Sequence, residues 1–410
     1  MTEAQGLVKN VSISLLLNVA ATFLVSVSMG MNAVLFPVTM ETNGISTTLI
    51  GFILATETIA ALGICFLLPK LLKYLGMRFS LVAVTLFRVP PLLFLPFFDD
   101  VSFWLVAIFV HGIGAFTFLI LMQTWVNSLK FRKNAGLMIA LYGTAVSLGL
   151  ALGPLVLRFI DEWNLLDTSF GAYFLGLVLQ FGFDEAHVAN GLRYCISALI
   201  STLAVAPILL GLWLVPRFQF KGKARIWRSV MLAKGPMFAV AMAGVSLFGV
   251  TSFITIFGLR NGLSLSDASL LLTAFMLGSL ILEVPLTWLS DYFDRRYIIV
   301  LNAFLCMVCA VYLPIAIYET HQAWTLLFIW GGVIGSIYST SLTMIGERFS
   351  DEDLVTANAG YSIMESGGGT IGILLIGAAM ALVGPDGLPY VIMFSSIVYF
   401  SFALTRYQVD

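Results

Sequence analysis

Glu57, Arg88, His111, Glu283 and Glu365 are ionisable residues that fall inside long apolar runs of a chain otherwise poor in charge. A charge at the centre of a membrane-spanning helix costs about 2.5–3.5 kcal/mol on insertion scales, so each of these groups needs a partner or a wet cavity. Carboxyls and an imidazole in such positions can take up and release protons, and an arginine can hold a carboxylate or cover backbone carbonyls. No His, Cys, Asp or Glu cluster has metal-ligand spacing and no nucleophile stands beside a base, so no metal, no cofactor, no catalytic residue and no enzyme activity is expected.

Glu365 carries the most information. Asn358, Ser362, Glu365, Gly369 and Gly372 recur at spacings of four, three, four and three, which puts polar and small groups on one helix face. Gly367, Gly368 and Gly369 thin the helix beside the acid. The face either borders water on a helix that moves or forms a static seam around a hydrogen-bonded carboxyl. Thr56, Ala60 and Gly63 give Glu57 a similar stripe. Arg88 precedes Pro90 and Pro91, which cannot donate to the carbonyls of Leu86 and Phe87. The guanidinium either covers those carbonyls or pairs with Glu57. In the second case Glu57 stays ionised and proton exchange falls to Glu365. His111 is the side-chain type that changes charge near neutral pH, and it is either a cavity group or a satisfied packing residue. Glu283, just ahead of Pro285, reads as support for a gate or a kink.

The elements that must position these groups are transmembrane helices. The 410 residues are 60% hydrophobic and 10% charged, against about 25% charged in soluble domains, so the surface must face lipid. Apolar runs of about twenty residues suffice to cross a hydrocarbon core of ~30 Å. They recur at 12–38, 46–69, 79–97, 101–126, 135–160, 190–216, 235–259, 265–290, 297–318, 323–345, 356–383 and 388–405. The first exceeds the roughly 7–15 residues of a signal-peptide core and is read as a retained span.

Basic residues gather in alternate loops, at Lys70, Lys73 and Arg78, at Lys130, Arg132 and Lys133, throughout 217–234, at Arg295 and Arg296, and at Arg348. The positive-inside rule makes these loops, and with them both termini, cytoplasmic. The basic segment 217–234 separates an N-terminal half, 1–216, from a C-terminal half, 235–410, each with six spans. Within it Ile226, Trp227, Val230 and Met231 stand among Lys223, Arg225 and Arg228, a pattern suited to an anionic inner leaflet. Residues 161–189 form a long acidic insertion whose apolar stretch, 170–183, is short for a span and reads as a membrane-lying helix or a lid. Cys65, Cys195, Cys306 and Cys309 all lie in apolar runs, so no disulfide framework is implied.

The halves look like repeats. Setting "YFDRRYII" (292–299) against "YLGMRFSL" (74–81) places Arg296 opposite Arg78, Asp294 opposite Gly76 and Asp291 opposite Lys73. "WLSDYFDRR" (288–296) resembles the loop motif of the major facilitator superfamily, and "YGTAVSLGLALGPLVL" (142–157) resembles its fifth-helix Gly-Pro segment. "QTWVN" (123–127) and the stretch 344–392 are similar to bacterial transporters of the YcaD type. The resemblance implies an all-α membrane protein, with twelve helices in two pseudo-symmetric six-helix bundles and a solute site between the halves.

It further implies a secondary transporter in the cytoplasmic (inner) membrane of a bacterium, a monomer in the lipid bilayer. Such a protein would move a small organic solute by alternating access, with protons as the coupling ion and no nucleic-acid partner. Asp291, Arg295, Arg296 and Arg78 would form the cytoplasmic gate, although Lys73 stands where the family expects an acid. The family's pairing of the second and eleventh helices would bring Glu57 and Glu365 to one seam, where two carboxyls can share a proton, and would put His111 on a cavity-lining helix. Asn18, Ser26, Asn32, Gln123, Trp125, Tyr338, Ser341, Asn358 and Ser362 are the candidates for contact with solute. Two other readings stand beside this one: a multidrug or amphiphile efflux antiporter, suggested by sparse cavity charge, and a scaffold or receptor that has lost transport, suggested by Lys73.

Overall fold

The computed structural model of the chain describes residues 2–129, 135–162, 180, 185–215, 226–290, 292–349 and 351–407, and helix is the regular structure among them. In lipid no water satisfies a backbone N–H or C=O, so a spanning segment must close its hydrogen bonds internally, as a helix does. Among the described residues eleven helices are long and apolar enough to cross a membrane. They are Ser12–Thr42, Thr47–Ile64, Leu71–Phe97, Val101–Val126, Leu141–Glu162, Asn190–Leu210, Lys234–Arg260, Leu265–Leu289, Arg295–Ala316, Thr320–Arg348 and Ala357–Val383. A shorter apolar helix, Gly387–Ala403, follows them. Numbered in chain order, these are spans 1 to 12, and they coincide with the twelve apolar runs to within a few residues at most ends.

Local chemistry sets where the helices break. Spans 2 and 3 run as one helical stretch, Thr47–Phe87, interrupted at Gly76 with φ 69° and ψ 160°. That backbone conformation is essentially open to glycine alone, and the Ser80 hydroxyl then donates to the Gly76 carbonyl at 2.8 Å. Span 3 turns again at Arg88, and Pro90 and Pro91 fall in the first turn of the next helical piece, Val89–Phe94. Proline is tolerated there because the first N–H groups of a helix have no partner within it. Span 6 divides at Ala204 into Glu185–Leu203 and Val205–Leu210. Side-chain caps start other helices: Asp100 accepts from the Phe103 N–H at 3.1 Å, Ser264 from Asp267 at 3.1 Å and Asp294 from Arg296 at 2.9 Å.

By packing the chain forms two compact units, Met1–Thr39 with Gly63–Lys221, and Met40–Leu62 with Gly222–Asp410. The division at 1–216, 217–234 and 235–410 read from the sequence therefore differs for Met40–Leu62, which packs with the C-terminal half. Of the basic linker, Ile226–Leu232 is a short helix with Ser229 and Val230 buried, and Trp227 and Met231 are exposed. Residues 216–225, and 163–179 and 181–184 of the acidic insertion, lie outside the described residues.

In the first unit spans 1 and 5 touch through glycine. A Cβ at Gly149 would stand 2.5 Å from the Ser26 Cβ and 2.8 Å from the Phe23 carbonyl oxygen, and Gly153 lies against the backbone of Gly30 and Met31. In the second unit spans 7 and 11 do the same, with Gly244 on the carbonyl of Glu365, Gly368 on Ala241 and Gly372 on Val245. Spans 8 and 10 meet at Gly278, Gly331 and Gly332, and Gly51 and Gly377 bring span 2 onto span 11. Helices in lipid associate by such close approach, which small residues permit.

Gly367 and Gly368 offer a test of this packing. No atom lies within 4 Å of a Cβ at Gly367, whereas one at Gly368 would collide with the Ala241 backbone. Gly→Ala in an open helix position adds about 0.5–1 kcal/mol of stability, while overpacking costs about 1–3 kcal/mol. Thermal unfolding in detergent should therefore show Gly367→Ala at or above wild type and Gly368→Ala several degrees below it. Equal melting temperatures for the two variants would contradict the close contact between spans 7 and 11.

Candidate functional site

The helix break at Arg88 turns its guanidinium into the first unit, where the residue is 0% exposed. Its Nη2 donates to the Ser28 hydroxyl at 3.5 Å, and Gly114 of span 4 leaves room for its Cβ. The Nδ1 of His111 lies 3.2 Å from the Arg88 carbonyl oxygen. A carbonyl only accepts, so Nδ1 carries the proton and donates. The ring also meets Phe36 edge-on at a centroid distance of 5.3 Å. Through Nδ1, span 4 supplies a donor to the backbone at the break in span 3, while Nε2 is buried with no hydrogen-bond partner among the described residues.

Ser28 extends the network. Its hydroxyl is 2.9 Å from that of Ser197, which lies 2.8 Å from Asn32 Oδ1, and Tyr194 donates to Thr39 at 3.2 Å. Asn18 Nδ2 donates to the Met122 carbonyl at 3.0 Å, and Trp125 Nε1 to the Ser14 hydroxyl at 2.9 Å. Asn18, Asn32 and Trp125 were expected to contact solute. All three are buried, and one polar atom of each bonds a neighbouring helix of the same unit, while Asn18 Oδ1 and Asn32 Nδ2 have no hydrogen-bond partner among the described residues. Ser26 and Ser341 are also buried, whereas Gln123 is exposed and Tyr338 half-buried.

The second unit holds the acids. Glu365 is half-buried on span 11, and among the described residues it has neither an ion pair nor a side-chain hydrogen bond. The polar and small stripe around it divides: Asn358 and Ser362 are exposed, while Gly368, Gly369 and Gly372 pack on span 7. One end of the face is open and the other is a seam. Glu57 is half-buried on span 2, and the neighbouring Thr58 hydroxyl is 2.7 Å from that of Thr370 on span 11. Glu57 and Glu365 thus sit on helices that touch, and Arg88 belongs to the other unit. Glu283 accepts hydrogen bonds from Ser339 on span 10, and from Ser279 at 3.5 Å. Beside it the Tyr361 hydroxyl donates to the Tyr338 carbonyl at 2.5 Å.

Of the gate residues, Asp291 lies outside the described residues. Arg295 forms an ion pair with Glu347 at the end of span 10. The Arg296 N–H donates to Asp294, which caps span 9. Arg78 donates to the carbonyls of Trp213 at 3.1 Å and Val215 at 3.4 Å, beyond the last turns of span 6. Reading single motifs missed Ser339, Gly335 and Tyr361. The signal for two of them is periodic: Gly335 and Ser339 are four apart on span 10, as Ser279 and Glu283 are on span 8.

A profile described as Major Facilitator Superfamily matches residues 19–183 and 236–409. A Bacillus subtilis (strain 168) protein described as the uncharacterized MFS-type transporter YfkF is 24% identical over 365 residues, covering 84% of this chain and 83% of that protein. Among solved structures, the nucleoside transporter NupG superposes with a TM-score of 0.73 at 12% identity, over 96% of this chain and 99% of that one. A bacterial homologue of the human lysosomal transporter Spinster gives 0.74 at 15% identity, over 97% and 96%. The Escherichia coli fucose:proton symporter FucP gives 0.58 at 19% identity, over 97% and 99%.

The His111 bond to the Arg88 carbonyl has a measurable weight. Leaving a buried acceptor without its donor costs about 1–3 kcal/mol. His111→Phe keeps the ring contact with Phe36 and removes the donor, so it should melt at lower temperature in detergent than wild type. A variant as stable as wild type would show that the break in span 3 does not depend on the imidazole.

Proposed function

Because the chain belongs to the Major Facilitator Superfamily, and is a transporter rather than an enzyme, we propose that it moves a small organic solute by alternating access in symport or antiport with protons. The observation that carries this reading is Glu365, a carboxyl within a span that has no counter-charge among the described residues. Its ionised form has nothing beside it to offset the cost of leaving water. A bound proton removes that cost, and exposure to water on either side lets the proton go. A carboxyl that alternates between these conditions is what coupling to a proton gradient requires.

Asn358 and Ser362, exposed on the same helix, and Tyr338 are the groups best placed to meet solute near Glu365. The names of the structural relatives, a nucleoside transporter and a fucose:proton symporter, fit a small organic solute. The likeness of 123–127 and 344–392 to YcaD-type transporters narrows the family reading. The charge asymmetry of the loops supports both termini inside, the short loops and the likeness to bacterial transporters support a bacterial cytoplasmic membrane, and a monomer needs no further chain to complete these contacts.

Proteoliposomes that trap a pH-sensitive dye test the reading, with pools of metabolites and amphiphilic dyes presented to wild type and to Glu365→Gln. Solute-dependent proton movement should appear with wild type and fall to background with the variant, while exchange of preloaded solute persists. Wild-type uptake without proton movement would end the proton-coupled reading. Unchanged proton movement in Glu365→Gln would remove this residue from it.

A further inference from the structure

We propose that Glu283 is a second proton-carrying carboxyl, linked to Glu365 through Tyr361 and the Tyr338–Ser339 segment of span 10; this rests on the proton-coupled reading of Glu365. The sequence alone makes Glu283 a support for a gate or kink at Pro285. In the structure its carboxyl leaves span 8 toward span 10, where Ser339 donates to Oε1, while Ser279 donates to Oε2 at 3.5 Å. Among the described residues no basic group pairs with it. Two hydroxyls are its partners, and a hydroxyl can donate to a carboxylate or accept from a carboxylic acid. The same site therefore serves both protonation states after a rotation of O–H bonds.

The carboxyl also has a space kept for it. A Cβ on Gly335 would stand 2.6 Å from Glu283 Oε2 and 3.0 Å from its Cδ. Gly278, Gly331 and Gly332 hold spans 8 and 10 in close contact on either side of this notch. A kink support would need no such clearance at its acid group.

The link to Glu365 runs through adjacent residues. Tyr361 precedes Glu365 by four positions, on the same face of span 11. Its hydroxyl donates to the Tyr338 carbonyl at 2.5 Å, and the two rings meet edge-on with centroids 5.3 Å apart. Tyr338 is followed by Ser339, the donor to Glu283. Most other charged groups of the packed spans stand near helix ends: Lys234 and Arg260 on span 7, Asp267 on span 8, and His321, Glu347 and Arg348 on span 10. Glu57 lies within span 2, which packs on span 11 through Gly51 and Thr58, so it stands beside the two acids and the two tyrosines as a titratable group of these packed spans. Interacting carboxyls titrate as a pair, so a proton on one biases the state of the other. The step is balanced: one proton binds a carboxylate oxygen from water on one side and leaves to water on the other, with no bond to carbon made or broken.

The experiment measures the proton-to-solute ratio and the pH profile of uptake in proteoliposomes for wild type, Glu283→Gln, Glu283→Asp, Tyr361→Phe and Glu365→Gln. Glu283→Gln should move fewer protons with each solute. Glu283→Asp, which keeps a carboxyl in the notch, should retain the wild-type ratio with a displaced pH profile. Tyr361→Phe, which leaves both acids in place, should displace the profile, a change that a purely structural hydroxyl would not cause. Should Glu283→Gln be too unstable to reconstitute, the Asp and Phe variants decide. Wild-type ratio and profile in the Glu283 and Tyr361 variants, with proton movement lost only in Glu365→Gln, would overturn the proposal and leave the reading of Glu365 standing. Uptake that follows sodium and ignores protons would overturn both.

Discussion

Two helices in lipid gain little by hiding apolar side chains from each other, because the solvent around them is apolar as well; close approach and hydrogen bonding must join them. Glycine supplies the close approach here, and the rest of the architecture follows from it. Gly149 and Gly153 on span 5 meet span 1, and Gly368 and Gly372 on span 11 meet span 7, so a pair of glycines four apart does the same work in each half of the chain. The residue three before the pair is Val146 in the first case and Glu365 in the second. The acid sits at the rim of a backbone contact, with its own carbonyl against Gly244. A helix held this closely cannot slide to relieve a buried charge, which leaves protonation or hydration to do so.

Hydrogen bonding differs between the units. In the first, Arg88, His111, Ser28, Asn32, Ser197, Asn18 and Trp125 bond across spans 1, 3, 4 and 6. Their polar atoms stitch helices together. In the second, Asn302 bonds Ser336, Thr58 bonds Thr370 and Tyr361 bonds Tyr338 in the same way, but Glu283 is met by hydroxyls and Glu365 by none among the described residues. Cross-helix bonds to neutral partners fix geometry, whereas carboxyls without a counter-charge leave a protonation state free to change. Both units tie helices together with neutral bonds, and the second adds to them the carboxyls of Glu283 and Glu365.

The spans were legible because one solvent, lipid, dictates both their length and their composition, and the family was legible at "WLSDYFDRR" and the Gly-Pro segment because those loops and small residues carry close constraints. The stripe from Asn358 to Gly372 was readable as a face, since helical spacing is a local property. Which part of it would be open was not readable, because that depends on span 7 meeting Gly368 and Gly372. Asn18 and Trp125 looked like solute contacts by residue type alone, and their bonds to Met122 and Ser14 join positions more than a hundred residues apart.

Met40–Leu62 belongs to the second compact unit although the sequence on both sides of it belongs to the first. Its contacts, Gly51 on the Ile373 carbonyl and Thr58 on Thr370, come from residues more than three hundred positions away. A fragment ending at the central linker would carry this strip of helix with no surface to lay it on, and the complementary fragment would present an empty groove in its place. The two halves of the chain are therefore not interchangeable modules: cutting the gene between them leaves Met40–Leu62 attached to the unit it does not pack with.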